Sequence, residues 1–139
     1  MKHRIVIPCS KSNLQEIRNF IMEILKTENL SDLEIHSMVL AVDEVCANII
    51  IHSNNCSPEQ TLEVLMEVKK DRVEYEIIDN GIGFDIRQYP EPDLNEIIKT
   101  KRKGGVGLML VKRIMDEIDF YNKKGKSVVK LTKFLESNP

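Results

Sequence analysis

Three short clusters in the chain combine residue types that can do chemistry: Glu44-Val45-Cys46-Ala47-Asn48, Asp79-Asn80-Gly81-Ile82-Gly83-Phe84 and Gly104-Gly105-Val106-Gly107. Glu44 and Asn48 are four residues apart, about 40° around a helix, so their side chains reach one point. A carboxylate beside an amide oxygen suits Mg²⁺ ligation or a base next to a metal ligand; it suits equally a buried polar pair bonded to backbone. Asp79, Gly81 and Gly83 place a carboxylate just before backbone that can approach a ligand closely. A purine amino group can use that arrangement, and an ordinary turn can have the same pattern. Glycines entering a helix expose N–H groups near the positive end of its dipole, which suits phosphate, although a plain loop reads the same way. There is no G-x-x-x-x-G-K-[ST] motif, and Leu110 stands where a dinucleotide fingerprint wants its third small residue, so P-loop and Rossmann chemistry are excluded.

Positioning these clusters falls to elements that the apolar pattern predicts. Residues 4–8 alternate as a short strand ended by Pro8. Ser12 and Gln15 have capping-box spacing, and Leu14, Ile17, Phe20, Ile21, Ile24 and Leu25 recur at helical intervals to about Thr27. A second box, Ser31 with Glu34, opens a helix through Ile51 with a stripe at Ile35, Met38, Val42, Val45 and Ile49. Glu44 points away from that stripe, yet Leu40, Ala41, Ala47, Asn48 and Ile51 surround it, so a carboxylate sits on an apolar face. Residues 61–69 alternate, Lys69-Lys70-Asp71-Arg72 turns, and the next strand carries Val73, Tyr75, Ile77 and Asp79 on one side. Asp79 is therefore aimed at the core at a strand end. From Asn80 to Gly107 the chain is rich in Gly, Pro and charge, with a short helix around Leu94 to Lys99, the composition of a lid, a binding loop or a disordered segment. Leu108, Val111, Met115 and Ile118 then read as a helix. Strands near Phe120 and at Ser127–Leu135 close the chain around Lys123-Lys124-Gly125. The pattern alone is α+β.

With 139 residues and 42% hydrophobic content, the chain is expected to form one domain, 1–139, with a real core. Twenty basic residues against 22 acidic leave a formal charge of −2, which argues against generic nucleic-acid binding. Cys9, Cys46 and Cys56 form neither a C-x-x-C pair nor an even framework, so reduced thiols are expected, and Cys46, His52 and Cys56 match no metal spacing. No long apolar stretch and no cleavage site stand at the N-terminus, so the expected location is the cytoplasm, with no membrane segment.

Taken in order, the three clusters resemble the N, G1 and G2 boxes of the GHKL ATP-binding superfamily, which includes gyrase and the histidine kinases. More narrowly, an opening strand and helix followed by Ala41-Val42-Asp43-Glu44-Val45-Cys46-Ala47-Asn48 and Asp79-Asn80-Gly81-Ile82-Gly83-Phe84-Asp85 resemble the bacterial anti-sigma factor serine/threonine-protein kinases. The resemblance covers nearly the whole chain. It implies a GHKL (Bergerat-type) α/β sandwich, a mixed, mostly antiparallel sheet with helices on one face and ATP between the layers. It implies Glu44 as general base, Asn48 as Mg²⁺ ligand and Asp79 as acceptor for the adenine amino group. Gly81 and Gly83 would line the nucleotide, and Gly105 and Gly107 would give N–H groups to the phosphates. Lys103 falls where these kinases often carry an arginine near the terminal phosphate, keeping the charge without the bidentate fork. Ser127, core-facing by parity with Val129 and Leu131, is a candidate hydroxyl toward adenine. The implied activity is Mg²⁺-dependent transfer of the ATP γ-phosphoryl to a serine or threonine of an anti-anti-sigma protein, together with sequestration of a sigma factor, by a homodimer that binds no nucleic acid directly. Two alternatives share the boxes: a nucleotide-dependent module that sequesters its regulator without turnover, and the ATP-binding domain of a histidine kinase. Against the second, no helical hairpin with a phospho-accepting histidine is found in the chain.

Overall fold

The computed structural model describes residues 2–52, 60–79 and 103–135. Alternating apolar residues form strands β1 (Lys2–Pro8), β2 (Thr61–Val68), β3 (Arg72–Asp79), β4 (Glu117–Lys123) and β5 (Lys126–Phe134). Helical spacing forms α1 (Leu14–Lys26), α2 (Asp32–His52) and α3 (Lys103–Ile114). The strands make one sheet in the order β1-β2-β3-β5-β4. Every neighbouring pair is antiparallel, so among the described residues the expected mixed sheet has no parallel member. The reason lies in the connections: β2–β3 and β4–β5 are joined by short turns, which only antiparallel neighbours can use.

Period two then decides which face is buried. Ile7, Leu62, Val64, Met66, Val73, Tyr75, Ile77, Val129 and Leu131 are at most 2% exposed. They join Ile17, Ile21 and Leu25 of α1, Met38, Val42, Val45 and Ile49 of α2, and Val111 of α3 in one core, so the helices lie on one face as expected. The other face is charged. Arg4 donates to Glu63, and Glu74 is ringed by Lys69, Arg72 and Lys130. The hydrogen bond from Lys69, helped by the charges of Lys130 and Arg72, holds the Glu74 carboxyl below its ordinary pKa.

Local signals succeed where they are self-contained. At the start of α2 the Ser31 N–H donates to Glu34 Oε1 at 3.1 Å and the Glu34 N–H to Ser31 Oγ at 3.1 Å, the reciprocal capping box. The Ser12–Gln15 box does not form. Residues Lys11–Asn13 make a 3-10 turn capped by Ser10, α1 starts at Leu14, and the Gln15 amide turns sideways to Asn19 and Arg18. Ile118, expected in the last helix, belongs to β4. There the Asp116 N–H donates to Thr132 O and its carboxylate accepts from Phe134 N–H at 2.7 Å, which ties the chain to β5 just after α3. The β4–β5 turn holds Lys124 at φ 53° and Gly125 at φ 77°, the two positive values a two-residue hairpin needs. Cys9 is disulfide-bonded, against the expectation of three reduced thiols. Cys46 is free and buried, and Cys56 lies outside the described residues. The expected helix around Leu94 to Lys99 also lies outside them. No described helix is long and apolar enough to cross a membrane.

The two capping boxes give opposite expectations. Ser31→Ala should destabilise the fold by about 1 kcal/mol, lowering the melting temperature by a few degrees. Gln15→Ala should change it by less than about 0.5 kcal/mol, as an exposed position away from any cap. Chemical denaturation of both variants checks the difference.

Candidate functional site

The N-box residues sit on α2 where it passes from core to surface. Val45 and Ile49 are each 1% exposed and anchor the helix in the core, and the turn between them carries Asn48, itself only 2% exposed. Its Nδ2 donates to the backbone oxygen of Glu44 at 2.8 Å. That bond uses an amide donor, and the remaining oxygen is the acceptor type that Mg²⁺ takes. The expected buried polar residue bonded to backbone is therefore present, with its side-chain oxygen of a type a metal ligand would need.

Glu44 is half-buried, and its carboxyl pKa is raised above the ordinary carboxylate value. Burial is the main cause and the negative charge of Asp43 the next; a side-chain hydrogen bond with Asn48 opposes them. Asp43 in turn accepts from Arg18 Nη1 at 2.8 Å, an ion pair joining α2 to α1. The sequence gives no signal for this pair beyond the two charges, because their meeting depends on how the helices pack. Beside them, burial and Asp43 push the Cys46 thiol far up, so it stays neutral and is no nucleophile.

The expected apolar surround of Glu44 divides in two. Ala41 and Asn48 turn into the core at 0% and 2% exposure, whereas Leu40 and Ile51 are 45% and 54% exposed. Glu44 thus stands at a boundary with one open side.

At the end of β3, Asp79 is 2% exposed and pairs across the sheet with Leu62 on β2 and Ser127 on β5. Ser127 is 5% exposed. Both share parity with Ile77 and Val129, so both face the helical layer, as the period of two predicted. A carboxylate held dry beside a hydroxyl can accept from an amino group and discriminate against a ligand that lacks one.

Lys103 opens α3, and Gly104, Gly105 and Gly107 lie in its first two turns. They had been expected as a loop leading into the helix. The first N–H groups of a helix have no partner within it and lie at the positive end of its dipole, so this end attracts anions. Helix α3 packs on α2, and α2 on β3, so Glu44 and Asn48, Asp79 and the glycines after Lys103 come onto touching elements. Gly81 and Gly83 lie outside the described residues.

Residues 7–133 match the family described as Histidine kinase-like ATPase domain. The chain is similar to the "Serine-protein kinase RsbW" of Bacillus cereus, 25% identical over 139 residues that span 97% of this chain and 86% of the relative. The protein of the same name from Listeria monocytogenes is 30% identical over 105 residues, 73% of this chain and 66% of that one. Among solved structures, the SiaB-SiaC complex from Pseudomonas aeruginosa aligns with a TM-score of 0.67 at 16% identity, covering 96% of this chain and 88% of the other. The RsbU and RsbW domains of Rv1364c from Mycobacterium tuberculosis align equally well, TM-score 0.67 at 14% identity over 96% of this chain and 32% of that longer one. With the match running from β1 through β5 and including both Glu44-Asn48 and Asp79, the chain belongs to the histidine kinase-like ATPase domain family and is similar within it to the RsbW serine-protein kinases.

Proposed function

We propose that this chain is an ATP-dependent protein serine/threonine kinase of the anti-sigma type, acting as one ATP-binding domain over residues 1–139. The observation that carries the reading is on α2: Asn48, buried with its amide N–H committed to backbone, one turn from Glu44, a half-buried carboxylate with a raised pKa and one open side. The name of the similar RsbW proteins supports the kinase assignment.

The residues fit Mg-ATP. Asp79 and Ser127 form a dry polar pair suited to the adenine edge, and Asn48 offers Mg²⁺ a hard oxygen. Gly105, in the first turn of α3 where the N–H has no partner within the helix, suits the phosphates, and Lys103 at its start suits the terminal one. Gly107 lies a turn further on, where its N–H enters the helical ladder, so its proposed part is close approach of the backbone and not an N–H donated to phosphate. Gly81 and Gly83 complete the proposed set. When bound, Mg-ATP supplies the transferable phosphoryl group and a divalent charge that offsets the phosphates. The chain supplies position and a base. Glu44, when ionised, takes the proton of the acceptor hydroxyl at its carboxylate, and its raised pKa matches a base better to neutral pH than an ordinary carboxylate. Asn48 holds the metal side of the site still through its bond to the backbone of the residue that carries the base. The acceptor would be a serine or threonine of an anti-anti-sigma protein. A captured sigma factor, a homodimer and a cytoplasmic setting complete the proposal.

ATP should bind with Mg²⁺ in preference to GTP, because guanine carries a carbonyl at the position of the adenine amino group from which Asp79 would accept a hydrogen bond. Asp79→Ala should weaken ATP roughly tenfold or more, the effect of losing a charged hydrogen-bond partner worth about 1.5–3 kcal/mol. Calorimetric titration with both nucleotides checks it, and equal affinity for the two would remove Asp79 from the adenine site.

Glu44→Gln keeps the side-chain volume and should leave ATP affinity intact while phosphotransfer to the partner protein falls by about 10²–10⁴-fold. Asn48→Ala should weaken Mg-ATP binding as well as turnover. A Glu44→Gln protein that phosphorylates at the wild-type rate would remove Glu44 from the role of base, and a wild type that binds ATP yet phosphorylates no partner would show the kinase reading to be wrong.

The base works only when ionised and its pKa is raised, so the phosphotransfer rate should fall as pH drops through a value above the ordinary carboxylate range. Asp43→Asn removes a neighbouring negative charge and frees the Arg18 cation, both of which stabilise ionised Glu44. That variant's acid limb should therefore move to lower pH, as read from kcat against pH.

A further inference from the structure

Six large apolar residues are exposed among the described residues, and three of them, Leu33, Leu40 and Ile51, lie on one side of α2 at 77%, 45% and 54% exposure. At 100° per residue they fall within an arc of about 20°, and Glu44 falls within about 20° of Leu33 and Ile51 on the same line. Ser37 and Ala47, both half-buried, fill the gaps. A helix lying on a protein surface ordinarily turns charged residues outward along such a line. Here aliphatic side chains flank a single carboxylate, about 6 Å along the axis from Leu40 and about 10 Å from Ile51.

The surroundings of Glu44 show how a second molecule must approach it. Ala41, Val45 and Asn48, at 0%, 1% and 2% exposure, close the inner side. The ion pair of Asp43 with Arg18 of α1 occupies the neighbouring flank. Among the described residues the open side is the line through Leu40, Ala47 and Ile51, so a hydroxyl delivered to the Glu44 carboxylate along it comes with its carrier lying across those side chains.

We propose that this stripe of α2 is the docking surface for the phospho-acceptor protein, and that the acceptor serine or threonine is flanked on both sides by apolar side chains that cover Leu40 and Ile51, with Leu33 at the rim. The inference rests on the kinase reading and adds the chemistry of the partner. That partner is apolar around its hydroxyl, matching the aliphatic side chains it covers. Burying the aliphatic groups supplies affinity and specificity, while Glu44 supplies the chemistry.

The test uses the full chain and, as probe, the purified protein that the wild type labels from radioactive ATP. Leu40→Lys should raise KM for that protein at least tenfold, with ATP affinity unchanged and kcat at saturating acceptor within about twofold of wild type. Leu33→Lys, at a position too exposed to disturb folding, should raise KM a few-fold in the same way. Val6→Lys, an exposed apolar residue on β1 rather than α2, should leave KM unaltered. Wild-type KM in both leucine variants overturns the docking surface and leaves the kinase reading standing. An equal KM increase in Val6→Lys overturns it as well, because the effect is then one of charge and not of place. Conversion of a wild-type dimer to a monomer by Leu33→Lys and Leu40→Lys in sedimentation assigns the stripe to a second copy and overturns it too. Failure of the wild type to label any protein removes the kinase reading and this inference together.

Discussion

Burial of α2 is the constraint on which the rest of the structure depends. The helix is apolar on nearly every side, so it must be covered on nearly every side, and no two-layer packing of a small domain does this without a sheet beneath and a helix on each flank. The sheet supplies Val64, Tyr75 and Ile77, α1 supplies Ile17 and Ile21, and α3 supplies Val111, all fully buried. Even the Tyr75 hydroxyl is spent inward, on Met38 Sδ of α2 at 3.2 Å. Among the described residues, fixing α2 in this way leaves one narrow line of it uncovered, and Glu44, the proposed base, lies on that line.

That placement sets the electrostatics. A carboxylate on an exposed helix would be an ordinary solvated acid, and one inside the core would lose its charge altogether. Glu44 stands between: burial raises its pKa, Asp43 raises it further, and contact with Asn48 restrains the rise. The Arg18–Asp43 pair limits how much Asp43 can contribute, because a paired acid presents less net charge to its neighbour. The packing of α1 against α2 thus acts on the Glu44 carboxyl without touching it. Cys46, on the inner side of the same turn, shows the other extreme: burial keeps its thiol neutral.

The sheet divides its labour by face. On the side toward the helices, the period of two carries apolar residues along β3 and β5 and ends on Asp79 and Ser127, polar groups where the core meets the outside. On the other side the same strands carry Glu74, Lys130 and their partners, a charged network that keeps that face in water. A shift of register by one residue would exchange the two sets, so the antiparallel pairing of β3 with β5 positions the site as firmly as any contact within it.

How much of this could be read from the sequence follows from the range of each interaction. The Ser31–Glu34 cap, the buried stripe of α2, the parity that turns Asp79 and Ser127 inward and the Lys124-Gly125 turn depend on residues a few positions apart, and each was legible. The N, G1 and G2 clusters were legible for the same reason. Their residue types and order survive without knowledge of where they meet, and they sufficed to point to the GHKL fold. Signals failed where a nearby competitor or a distant partner decided the outcome. Ser10 displaced Ser12 as a cap, and β5 drew Ile118 into a strand through Asp116. The Arg18–Asp43 pair and the division of the Glu44 surround into a buried and an exposed side depend on segments far apart in the chain, and the disulfide at Cys9 has no local signal around that residue. Sequence by itself determined which residue types could carry chemistry and, for Asn48, Asp79 and Ser127, which way each faces from its own element. Only the tertiary structure decided how dry each one is and from which side it can be reached, because burial and approach are properties of several elements packed together and of none of them alone.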